Sequence, residues 1–229
     1  MRFDADLNFD MDARLQKWGK WLLVIHDDIQ QLVMDKHVFW TVQEIIKDNP
    51  DIQKGSYFYS YLGNTYVSHA VIGVRRQIKI DRQSISLARL LTEIRETPEL
   101  LSRSYYCSLY KGSNVESWAD RDFDNHCGKG VVHISPTVVQ AELDELRGKA
   151  RSCEELADRR IAHHDKRPPN RLPKFNELNE CIETLDKLYV RYHLLLRAQS
   201  MKTLMPTFQY DWQEIFRQPW IKSDESAQA

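Results

Sequence analysis

The sequence predicts an all-α protein, an antiparallel helical bundle with an irregular insertion near residues 111–135 and a short C-terminal appendage. Two observations carry this. Apolar residues recur in steps of four and three over long stretches, which places them on one face of a helix. Glycine and proline are scarce, eight of each in 229 residues, too few for the many tight turns of a strand-rich fold.

The first helix is expected over residues 11–33, where Met11, Leu15, Trp18, Leu22, Ile25, Ile29 and Leu32 form one stripe. A second is expected over residues 36–47, stopping at Asn49-Pro50 because proline disfavours helical backbone at the residue before it. A third spans residues 56–79 on the stripe Val67, Val71, Val74 and Ile78, with Gly63 and Gly73 marking close helix crossings. Shorter helices follow at residues 84–95 and 98–110. Residues 111–135 are the least regular, with Val131–Ile134 as a short strand candidate. Asp120, Asp122 and Asp124 resemble the start of a calcium loop, but Asn125 and Val131 stand where such a loop needs glycine and glutamate. Ser135 and Pro136 open the next helix, the serine as cap and the proline at the first helical position, where its missing N–H costs nothing. Its stripe of Val139, Leu143, Leu146, Ala150, Cys153 and Ala157 carries it toward Asp165. The last long helix is expected over residues 174–198, on Phe175, Leu178, Ile182, Leu185, Tyr189, Tyr192 and Leu196. Residues 1–200 thus form the bundle. Residues 201–229 form the appendage, docking as a short helix across the bundle and ending in disorder.

Composition narrows the function. Charges balance to a net −1, so any nucleic-acid contact must come from a local cluster. Cys107, Cys127, Cys153 and Cys181 form no C-x-x-C pair, which argues against a zinc ribbon or a dithiol redox site and for reduced thiols. The acidic start is unlike a secretion signal, and no apolar run reaches the ~18 residues of a membrane helix. A cytoplasmic protein without membrane partner and without cofactor is expected.

The chemistry concentrates in Leu156-Ala157-Asp158-Arg159-Arg160-Ile161-Ala162-His163-His164-Asp165-Lys166-Arg167. A solvated helix end, with cations favoured by the helix dipole, is the plain reading. The alternative is a catalytic site. On a continuing α-helix Arg159 and His163 lie one turn apart on a face opposite the stripe, while His164 lies nearer the stripe. Histidine titrates near neutrality and can act as acid or base, and arginine holds phosphate with a planar fork of donors.

This segment resembles the signature of HEPN domains, in which an arginine precedes a histidine by four to six intervening residues, with a small residue before the histidine and an aspartate after it. Ala162-His163-His164-Asp165 fits that form. Val74-Arg75-Arg76-Gln77, Ser84-Ile85-Ser86-Leu87-Ala88-Arg89-Leu90-Leu91 and Leu185-Asp186-Lys187-Leu188-Tyr189 are similar to segments of the abortive-infection branch. The resemblance spans residues 11–198. It implies metal-independent cleavage of RNA by Arg159, His163 and His164, in a cleft where two chains of a homodimer meet. It also implies a setting in phage defence or a toxin–antitoxin pair, with an antitoxin partner. One departure matters. Six positions before His163 the pattern's arginine is replaced by Ala157, with Asp158 in the polar position that follows. Either His164 is the functional histidine, or Arg159 substitutes from one turn away, or the site is degenerate and the chain is an inactive HEPN module that binds RNA or a protein.

Arg75, Arg76 and Arg160 are candidates for RNA phosphate contacts. His26 with Asp27 and Asp28, and His126, Cys127 and His133 in the insertion, lack the spacing of a metal site, and no metal is expected.

Overall fold

The computed structural model describes residues 2–162 and 165–220, with side chains from residue 13 onward. Helix α1 runs unbroken over Arg2–Asp48, where the apolar pattern suggested two helices. Between Gly19 and Pro50 nothing in the sequence breaks a helix. The stripe stops at Leu32 because the buried core stops there, not because the helix does. Asn49 then adopts extended backbone (φ −117°), as a residue before proline should, and its side chain accepts from the Asp51 N–H.

Helix α2 (Tyr57–Ile78) begins at Ser56, whose hydroxyl accepts from the Phe58 N–H. Helix α3 (Leu87–Glu96) begins at Ser86, which accepts from the Arg89 N–H. Gln77 joins the two. It is fully buried, accepts from the Leu87 N–H at 3.0 Å and donates to Asp28 on α1 at 2.8 Å. A 3₁₀ turn (Pro98–Leu101) leads into α4 (Arg103–Ser108).

The insertion is more ordered than its sequence suggested. It holds α5 (Ala119–Cys127), and its three aspartates serve protein partners: Arg103 binds Asp120 and Asp124, while Tyr106 and Tyr110 donate to Asp122. Residues 131–134 form no strand. Two backbone bonds, Arg103 N to Val132 O at 2.8 Å and Ile134 N to Leu101 O at 3.2 Å, hold them to the 3₁₀ turn and the start of α4.

Helix α6 (Pro136–Leu156) starts with the expected proline, although the Ser135 side chain makes no capping bond. Helix α7 (Phe175–Arg197) ends at Ala198, whose left-handed backbone (φ 52°) stops it. The residues expected on the α6 and α7 stripes are buried throughout, apart from Phe175. That ring stacks on Phe39 of α1 instead. Helix α1 lies antiparallel to both α2 and α7: Asp28 and Asp35 meet Arg76 and His69, while Lys36 and Trp40 meet Glu183 and Asn179. Helix α6 packs on α2, α3 and α7. The result is an all-α helical bundle without a strand among the described residues.

The appendage docks as an extended strap along α1 with one 3₁₀ turn (Glu214–Arg217). Leu204 is buried, with its N–H bonded to Asp186 at 2.8 Å and its carbonyl accepting from Gln30 at 3.1 Å. Phe208 and Trp212 then pack on His37. Among the described residues no helix is long and apolar enough to cross a membrane.

Candidate functional site: the end of helix α6

The α-helical pattern of α6 does not continue to Asp165. After Leu156 the backbone widens into a π-helical turn over Ala157–Ile161, closed by Ala162 N to Ala157 O at 2.8 Å. Two neighbours favour this. Ala157 is fully buried against the bundle, and Arg75 of α2 pairs with Asp158. Such turns concentrate at functional positions. The chain then folds back: Asp165 N bonds Arg159 O at 3.1 Å, and Asn170 N bonds Glu155 at 3.0 Å.

Arg159 sits at the junction. Its Nη1 lies 2.9 Å from Glu155 and donates to the Pro168 carbonyl at 2.7 Å, tying helix end to return loop. Its other guanidinium nitrogens have no bonded partner among the described residues, and its side chain is 27% exposed. One nitrogen of the fork is therefore held, and the side chain is partly exposed.

Beside it a cleft of about 400 Å³ opens between α6, the return loop and the start of α7, lined by Arg151, Ser152, Glu155, Asn170, Arg171 and Glu177. Arg171 pairs with Glu177 at 2.7 Å, and this bond with that from the Lys174 N–H holds the Glu177 carboxyl down at about 2. Arg167 holds Asp165 down at about 2 in the same way. These carboxylates are charged at neutral pH and temper a cluster of exposed cations.

The expected site residues fare differently. Arg160 is exposed and has no ion-pair partner among the described residues. Arg75 is engaged with Asp158, beside the site. Arg76 faces the other way and binds Asp28 on α1 at 2.8 Å. His163 and His164 lie outside the described residues. Arg151, Asn170 and Arg171 were not anticipated. For Arg151 the signal was present, since Arg147, Arg151, Glu155 and Arg159 recur every four residues along one helix face. For Arg171 there was none.

The remaining polar candidates have structural partners. His26 contacts Asp27 at 3.0 Å and packs edge-on against Tyr189; His133 bonds the Ile134 carbonyl at 2.8 Å. Among the described residues no group of three or more His, Cys, Asp or Glu side chains is placed to hold a metal ion.

The fold and this cleft define an all-α protein with a polar, arginine-rich site at a helix end. Compared with known proteins, the chain matches no family model, no curated protein and no solved structure.

Proposed function

We propose that the chain is an endoribonuclease of the HEPN type that works without a metal ion, acting at the end of α6. The observation that carries this is the partly held guanidinium of Arg159. Glu155 and Pro168 fix one nitrogen of a partly exposed side chain, Glu155 itself lines the polar cleft, and the π-turn lies just before His163 and His164 in the sequence. In this reading a histidine takes the proton of a ribose 2′-hydroxyl as that oxygen attacks the adjacent phosphorus. Arg159 steadies the charge on the pentavalent phosphate. The 5′-oxygen leaves with a proton, giving a 2′,3′-cyclic phosphate and a 5′-hydroxyl end. Arg160 and Arg151 offer contacts to flanking phosphates. The resemblance extends this to a homodimer in the cytoplasm, with an antitoxin partner or a role in phage defence.

The test is incubation of purified protein with mixed RNA in EDTA. Cleavage leaving cyclic-phosphate ends is expected, falling ~10²–10³-fold in Arg159→Lys, which keeps the charge but loses the fork. His163→Ala and His164→Ala then assign the base. Metal-dependent cleavage, or an unimpaired Arg159→Lys protein, would remove this mechanism.

A second reading has its own support. Arg159 is partly neutralised by Glu155, and Ala157 occupies the position where the family pattern has arginine. RNA retained in a gel shift but never cut would identify an inactive HEPN module.

A further inference from the structure

Helices α1 and α2 meet in an antiparallel seam with a seven-residue rhythm. Asp28 faces Arg76 and Asp35 faces His69, a step down α1 answered by an equal step back along α2, and at the next step Val42 and Leu62 line the same cleft. The helices approach tightly where Gly73 meets Leu32: a Cβ on Gly73 would lie 2.6 Å from Leu32 Cδ2. Farther along, the two helices leave space between them. Between them opens a cleft of about 740 Å³, walled by Val38, Phe39 and Val42 of α1 and Leu62 and Tyr66 of α2. That volume lies in the range of small-molecule sites, and apolar walls with a few convergent polar groups are their usual make-up.

The polar group is His69, at the mouth. Its Nδ1 lies 2.6 Å from Asp35 Oδ2, and Gln31 donates to the other Asp35 oxygen at 2.7 Å. Nδ1 is thereby taken up at Asp35. The ring is thus turned so that Nε2, without a partner among the described residues, remains for a ligand. The next rung differs. Both Asp28 oxygens are bonded, to Arg76 and to the buried Gln77, and that rung knits the helices together. The Asp35–His69 rung is more open, with the His69 side chain 57% exposed, and borders an aromatic wall where Phe39 and Tyr66 stack 4.1 Å apart.

We propose that this cleft binds a small aromatic molecule bearing a hydroxyl, its rings against Phe39 and Tyr66 and its hydroxyl on His69 Nε2. A hydroxyl suits both states of the ring, donating to neutral imidazole and accepting from imidazolium. Two fused rings suit the volume better than one. This site is independent of the reading given for the end of α6.

The test uses 2-naphthol and naphthalene as probes of the full chain, followed by the ring resonances of labelled histidine. 2-Naphthol is expected to bind and shift His69, with naphthalene about tenfold weaker for lack of the hydrogen bond. His69→Ala removes the preference, and Leu62→Trp, which fills the cleft, removes binding of both while circular dichroism stays helical. Equal binding of the two probes, binding that leaves His69 unshifted, or no binding by 2-naphthol up to its solubility would each overturn the proposal. So would a dimer in sedimentation that Leu62→Trp converts to monomer, since a second copy would then be the occupant.

Discussion

Arg75 on α2 pairs with Asp158, the second residue of the π-turn that ends α6. The two side chains are 31% and 44% exposed, so the pair contributes only about 0–1 kcal/mol to stability. Its effect is on geometry. Arg75→Met and Asp158→Asn are expected to leave the melting temperature nearly unchanged while speeding amide exchange at Ala162, whose N–H closes the turn. A double-mutant cycle read on that exchange should show coupling; strict additivity would mean the pair does not hold the turn.

Glycine gives a prediction of opposite sign at two positions of one helix. Gly73→Ala drives a methyl into Leu32, which is itself buried and has nowhere to go. Overpacking costs ~1–3 kcal/mol, against a helix-propensity gain of up to about 1 kcal/mol, so a net loss is expected. Gly63 has no atom within 4 Å of an added Cβ. Gly63→Ala should therefore stabilise by up to about 1 kcal/mol. Urea denaturation of both variants checks the contrast.

Glu93 on α3 supplies a pH-dependent contribution. It accepts from the indole N–H of buried Trp18 at 2.8 Å and pairs with Lys17 and Arg89. Burial alone would raise its pKa, but the bonds from Lys17 and Trp18 and the charges of Lys17 and Arg89 together bring it below the usual glutamate range. A lowered folded-state value means the ionised group stabilises above its unfolded pKa, and the contribution fades as pH falls through the folded one. Glu93→Gln should be less stable than the parent at pH 7, the gap closing below about pH 4. A constant gap across that range would exclude the charge as the cause. Glu93→Ala also strands the indole N–H, at about 1–3 kcal/mol.

The sequence made the bundle visible because its evidence is local. The α6 stripe from Val139 to Ala157 is buried at every position, and α7 follows its stripe from Leu178. What stayed hidden depends on distant partners. The join within α1 was invisible because the stripe records core contact rather than helix length. The three aspartates of α5 could be excluded as a calcium loop from the sequence, but their partners Arg103, Tyr106 and Tyr110 could not be named from it. Arg159 was a candidate on residue types, helical spacing and the resemblance together. Its tether to Pro168 and the π-turn could not be anticipated, since one needs the return loop and the other is supported by Arg75. Asp35 and His69 become a pair only once the register of α1 against α2 is known.

The way α7 seats on α1 bears on how the protein is made. The carbonyl of Gly19 accepts from Arg197 and that of Leu22 from Tyr189, contacts separated by 178 and 167 residues of chain. Synthesis delivers α1 long before either donor exists, while α2 meets α1 at Asp28, Leu32 and Asp35 and α3 meets it at Trp18. During elongation the part of α1 that α7 later covers stays open, the kind of surface that chaperones hold and that drives aggregation when they do not. Closure of the bundle is therefore a late event, set by the emergence of α7, and a ribosome stalled before α7 would present a nascent chain whose α1 still lacks its α7 contacts.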